Sequence, residues 1–252
     1  MELSVITQSF HQKDYTVNCI KSLYYFCPTN VKLNVIVIEN SDDTSYKNEI
    51  ESINENITWI NDPTKYSKSM GNAHCIMNGL KLVNDEWVLL LHNDTCITSE
   101  SFFIQMLEKI DEGYGLIGTC YDRHPNRHSS IIVLGCLVKK DIAEKVDFRP
   151  GGLNEKGCEW DTGEKLHIYC RDNNIKTFCF DNTYNNSELS HKLNGEFKKI
   201  IELRTVDANG KVMFIHFARG TEKSTNSDNK KGRLSMREAV EFCNKNVFIN
   251  NE

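Results

Sequence analysis

Two kinds of pattern alternate along the first part of the chain. Leu3-Ser4-Val5-Ile6-Thr7, Leu33 to Ile38, Ile57-Thr58-Trp59-Ile60 and Glu86-Trp87-Val88-Leu89-Leu90-Leu91 are short, apolar and rich in β-branched residues. That is how strands buried on both faces read. Between them the apolar residues fall at intervals of three and four. Tyr15, Cys19, Leu23 and Phe26 mark an amphipathic helix that stops at Cys27-Pro28. A weaker helix is expected from Tyr46 to Ile53 and another from Gly71 to about Val83. Ser99 or Ser101 is expected to cap a helix through Ile110, followed by strands at Leu116-Ile117-Gly118 and from Ile131 to Val138. Strands alternating with helices require right-handed crossovers and predict an α/β fold: a mostly parallel central sheet flanked by helices.

The second half is less regular. Gly151 to Gly157 reads as a glycine-rich loop. Cys158-Glu159-Trp160-Asp161-Thr162-Gly163-Glu164 leads into a helix to about Asn173, and Thr177 to Phe180 and Val212 to Phe217 read as strands. Gly220 to Gly232 is rich in Ser, Thr, Asn and Lys and is expected to be a mobile loop before a helix from Ser235 to Asn244. The chain has 252 residues, only 4 prolines and no Gly/Ser linker, enough for one substantial core. We therefore expect a single domain over residues 1–220, with halves 1–98 and 99–220, and residues 221–252 packed on it.

Composition narrows the function. A net charge of -5 argues against a general nucleic-acid binder, which would carry a basic stripe. The 10 cysteines are scattered, several lie in apolar runs, and they show neither CxxC nor zinc spacing. Reduced, mostly buried thiols in a cytoplasmic protein are expected. Met1-Glu2-Leu3-Ser4 lacks the basic and apolar regions of a signal peptide. No apolar run reaches the roughly 18 residues of a membrane span.

In parallel sheets, ligands bind beyond the carboxyl ends of the strands. That rule selects Gln8 to His11, Glu39 to Asp43 and His92 to Asp94, the polar ends of the three best strands. Four segments then resemble, in order, the inverting GT-A glycosyltransferases of the large family 2 type. They are Leu3 to His11; Val35-Ile36-Val37-Ile38-Glu39-Asn40-Ser41; Gly71 through Asn78-Gly79 with Trp87 to Asp94; and Glu159-Trp160-Asp161 before a helix. The likeness runs from Leu3 to about Gly220. It implies a single GT-A (Rossmann-like) domain whose first half binds a nucleotide-diphospho-sugar, with UDP the commonest base in similar enzymes. Its second half would take a glycan, glycolipid or glycoprotein acceptor. A divalent cation, Mn²⁺ or Mg²⁺, would offset the charge that builds on the leaving diphosphate.

Residue by residue, the resemblance makes Asp94 the last acid of the Asp-X-Asp motif and a metal ligand, with His216 as the second. His92 replaces the motif's first acid and is expected against the ribose or diphosphate, unless the metal site is weakened. Gln8, Ser9, Phe10, Glu39, Asn40, Gly71, Asn93 and Arg219 complete the expected nucleotide site, with Asp42 or Asp43 able to share the role of Glu39. Asp161 is the candidate base that takes the acceptor proton, with Glu159 as the alternative. Each has a plainer reading: Asp94 and Asp161 as helix or turn caps, Glu39 as a polar turn, His216 as an ordinary strand-end histidine. Lys65, Lys68 and Asn72 flank Gly71 at the start of a helix, where a diphosphate or acceptor contact is the alternative to plainly solvated lysines; His124, Pro125, Arg127 and His128 read as a variable loop. A non-catalytic nucleotide- or carbohydrate-binding module is the rival function. A sugar nucleotidyltransferase is disfavoured because residues 7–14 hold no glycine.

Overall fold

The computed structural model describes residues 1–64, 66, 68–122, 129–153, 157–217 and 234–248. The N-terminal alternation gives β1 (Glu2–Ser9), α1 (Lys13–Phe26), β2 (Lys32–Glu39), α2 (Lys47–Glu51), β3 (Ile57–Asn61), α3 (Lys68–Leu80) and β4 (Trp87–His92). After it come β5 (Thr95–Ile97), α4 (Ser101–Asp111), β6 (Leu116–Gly118), β7 (Tyr121–Asp122), β8 (Ser130–Ile131) and β9 (Gly135–Lys139). The remainder is α5 (Lys140–Ala143), α6 (Glu164–Asp172), β10 (Thr177–Cys179), α7 (Glu188–Lys192), β11 (Leu203–Val206), β12 (Val212–His216) and α8 (Met236–Asn246).

The large sheet has seven strands in the order β10-β6-β9-β4-β1-β2-β3. Every neighbouring pair is parallel except the two that involve β9, which runs against β4 and β6. Side chains alternate between its faces. Val5, Val35, Val37 and Leu89 pack with α1, α2 and α4 on one side. Ile6, Ile36, Ile38, Val88 and Leu90 pack with α3, α5 and α6 on the other. Both faces of the central strands are therefore buried, which is why their sequences are apolar throughout rather than alternating.

The Ile131–Val138 run, expected as one strand, is two. Ser130–Ile131 forms a small hairpin with β7, and the chain then crosses into the large sheet at Gly135. A Cβ there would lie 2.8 Å from Phe214 Cζ, so glycine lets the strand enter beneath that ring.

A second sheet, β11-β12-β5, is antiparallel and was not expected from the sequence. It pairs His216 with Thr95 and donates the Phe217 N–H to the Asp94 carbonyl at 2.8 Å. A third cluster, with Tyr15, Val206, Ile215 and Phe217, packs α8 through Ala239, Cys243 and Val247. Ser235 and Glu238 close a capping box at the start of α8. None of the ten cysteines forms a disulfide. No described helix is long and apolar enough to cross a membrane.

Candidate functional site

Strand register puts the polar strand ends side by side. Ser9 lies opposite Glu39 and Gln8 opposite His92, so three loops leave the sheet along one rim. Glu39 is fully buried there. Its carboxylate accepts from the His11 N–H at 3.2 Å and from the Ser41 and Tyr46 hydroxyls. Tyr46 also meets Ser9 Oγ at 2.6 Å, and Thr16 donates to Ser9 at 2.8 Å. A buried carboxylate has to be matched by donors, and here all of these come from the protein. Glu39 thus fastens the first two rim loops to α2, and His11 takes a left-handed conformation (φ 52°) in reaching it.

Asn40 donates to the Tyr66 carbonyl at 2.6 Å, closing the rim against the approach to α3. Gly71 allows this closure, since a Cβ would lie 2.5 Å from both Asn40 Nδ2 and the Tyr66 carbonyl oxygen. Gln8 and Phe10 are partly exposed on the same rim, and the Tyr66 ring stacks on His74 with centroids 3.8 Å apart.

The end of β4 carries two of the three residues that could hold a metal ion. Asn93 turns inward, donating to Gln12 Oε1 at 2.7 Å and Thr16 Oγ1 at 2.9 Å, and so pins the turn to α1. The neighbouring Asp94 Oδ1 lies 3.2 Å from His216 Nε2 and 3.8 Å from His92 Nδ1. One ligand atom from each of these three residues lies within 4.8 Å of the others, the only such cluster among the described residues. Two adjacent ligands of an octahedral ion at about 2.1 Å lie about 3 Å apart, so the donor spacing fits one cation. Burial holds the His92 imidazole down, to about 4; the Asp94 charge opposes this, His216 reinforces it and Asp161 opposes it. His92 is therefore neutral near pH 7 and keeps a lone pair for a metal. Asn72 meets its Nε2 at 2.8 Å and orients the ring.

Asp161 stands across from this cluster, close enough for its charge to act on His92. Its Oδ1 accepts from Ser69 Oγ at 3.1 Å and from the Thr162 N–H at 2.8 Å, while Thr162 Oγ1 donates to the Ser69 carbonyl at 2.7 Å. The start of α6 is thereby stitched to the first turn of α3. Gly163, at φ 79° and with no room for a Cβ beside Val133, makes the sharp entry into α6 possible. Glu159 lies on the exposed side, its backbone bridged to Leu153. Arg219, Lys65 and the segment from His124 to His128 lie outside the described residues.

Two residues of this arrangement escaped the sequence reading: Tyr46 sat in a weak helix, and Asn72 was read as a flank of Gly71. His92, expected against the ribose or diphosphate, lies beside Asp94 and His216.

No protein-family model matches the chain, and no curated protein sequence does. Solved structures do. The mannosyltransferase PcManGT from Pyrobaculum calidifontis, solved with GDP-Man and Mn²⁺, matches with a TM-score of 0.52 at 13% identity, covering 70% of this chain and 54% of that one. The chain has the GT-A fold. S. aureus TarS matches with a TM-score of 0.51 at 13% identity, over 71% of this chain and 35% of its own. The chain thus spans about half or less of the length of these two structures. The rim described above is the carboxyl-end rim of the GT-A sheet.

Proposed function

We propose that the protein is a metal-assisted glycosyltransferase that moves a sugar, with inversion, from a nucleotide-diphospho-sugar to a hydroxyl acceptor. The observation that carries this reading is the His92–Asp94–His216 cluster on the GT-A rim, within electrostatic reach of the Asp161 carboxylate. Asp94 and His216 would hold a divalent cation together with His92, and the cation would supply positive charge opposite the departing diphosphate. Coordination through His92 Nδ1 needs the ring proton on Nε2, where the Asn72 carboxamide, turned with its oxygen inward, accepts it. Asp161 takes the proton from the acceptor hydroxyl as its oxygen bonds to the sugar carbon and the bond to the diphosphate breaks. Ser69 and Thr162 hold that carboxylate in place for the task. Glu39 supports the nucleotide pocket by fixing its loops.

Two imidazoles and one carboxylate form a softer donor set than paired carboxylates. Such a set favours manganese and its later neighbours over magnesium. The same donors serve ferrous oxygenases; the GT-A rim and the facing Asp161 support the transferase reading here. The experiment is a screen for slow donor hydrolysis across UDP- and GDP-sugars with Mn²⁺, Mg²⁺ or EDTA. We expect one donor class to be hydrolysed, at least about tenfold faster with Mn²⁺ than with Mg²⁺, and no turnover in EDTA. Binding of a nucleotide-sugar without turnover under any condition would favour the non-catalytic module instead.

A further inference from the structure

Beside the metal cluster lies a cavity of about 290 Å³ that the donor reading does not use. His216 forms part of its wall, so the cavity and the cluster share a residue. The rest of the wall is mainly apolar, built from Cys120, Ile132, Leu134 and Leu203, with Tyr184 and Ile201 also lining it. Ile132 in turn lines a small recess that contains Asp161. The cavity is therefore flanked by the metal cluster on one side and by the recess of the candidate base on another. Among the described residues the one lysine or arginine that lines it is Arg204, 3% exposed, whose terminal nitrogens donate to the Phe197 and Ile200 carbonyls and Ser190 Oγ. The terminal nitrogens of Arg204 are thus already matched by acceptors of the protein. Tyr184 and Ile201, 60% and 54% exposed, both line this cavity and leave it accessible from solvent.

We propose that this cavity receives the apolar body of the acceptor: an alcohol whose reactive hydroxyl is carried on an alkyl or aromatic aglycone rather than on a free sugar. The proposal rests on the transferase reading for the word acceptor. Its geometry is independent of the donor. The volume lies at the low end of small-molecule sites, which run from roughly 300 Å³ upward; it suits an aglycone and is too small to hold a nucleotide-sugar as well. An acceptor seated there would have its hydroxyl end near His216 and the Asp161 recess, with its apolar body against Leu134, Leu203 and the two exposed side chains. Transfer would form one glycosidic bond, break the sugar–diphosphate bond and leave the acceptor proton on Asp161.

The test pairs binding with donor hydrolysis. N-phenyl-1-naphthylamine, a neutral apolar fluorophore, is titrated into the protein and displaced with octyl glucoside, methyl glucoside or glucose. The proposal expects saturable fluorescence enhancement, with octyl glucoside displacing the probe at least about tenfold more effectively than methyl glucoside. The double variant Tyr184→Ser/Ile201→Ser alters side chains that are more than half exposed, so it should still melt cooperatively as a folded protein while its probe Kd rises about five- to tenfold. A wild type that hydrolyses donor but binds no probe, or a folded double variant that binds it equally well, overturns the cavity proposal alone. Probe binding with no hydrolysis of any nucleotide-sugar overturns the transferase reading, and the acceptor role falls with it.

Discussion

Asp94→Asn is expected to abolish metal-dependent turnover, with a loss of about three orders of magnitude or more. Asp94 Oδ1 is the atom that faces both imidazoles, at 3.2 and 3.8 Å, and its side chain is only 8% exposed. The substitution keeps the shape and removes the one negative charge of the cluster. Two imidazoles then remain, too weak a set to hold a hard divalent ion against its hydration shell. With no cation, the charge that develops on the leaving diphosphate has no counterweight, and a single lost electrostatic contact of this kind is worth about a hundred- to a thousandfold by itself. The fold should survive, because the Asp94 carbonyl still accepts from Phe217 and Asn93 still pins the turn to α1. Thermal denaturation with and without Mn²⁺ checks both halves. The wild type should gain stability by mass action, about 3 kcal/mol when Mn²⁺ stands at a hundred times its Kd, and the variant should gain none.

Asp161→Asn should separate binding from chemistry. The asparagine oxygen can still accept from Ser69 Oγ and the Thr162 N–H, so the start of α6 stays fastened to α3. What is lost is the group that takes the proton. General-base catalysis contributes about a hundred- to ten-thousandfold, and the transfer rate should fall by that range. Donor affinity in the presence of Mn²⁺, measured by calorimetry, should stay within about twofold. Equal losses in rate and donor affinity would assign Asp161 to the donor pocket instead. Glu159, exposed on the outer side of the same segment, should tolerate replacement by Gln with little change in rate.

The N-terminal half of the fold was legible because its strands are buried on both faces and its helices on one. Burial of that kind leaves a periodic trace in the sequence, as in Val35 to Ile38 and in Tyr15, Cys19 and Leu23. The rim rule then located Ser9, Glu39 and His92 correctly relative to one another, since register follows from parallel pairing. The small antiparallel sheet was not legible. β5 has only three residues, Thr95–Ile97, directly after the β4 turn, and nothing in so short a run signals that it will pair with β12 more than a hundred residues later. That pairing is what brings His216 to Asp94, so the meeting of the two residues could be inferred only through the family likeness. The inward turn of Asn93 and the enclosure of Glu39 were hidden for a related reason. Both residues lie on the rim, but their side chains are claimed by Gln12, Thr16, Ser41 and Tyr46, partners fixed by tertiary packing rather than by spacing along the chain.

The most direct measurement is electron paramagnetic resonance of Mn²⁺ titrated into the protein with and without a nucleoside diphosphate. The account predicts that the free-ion signal is quenched at one equivalent, that UDP or GDP tightens the binding and alters the bound spectrum, and that His216→Ala and Asp94→Asn each restore the free-ion signal. Mn²⁺ that stays free in the wild type, with the nucleotide binding equally well in EDTA, would contradict it.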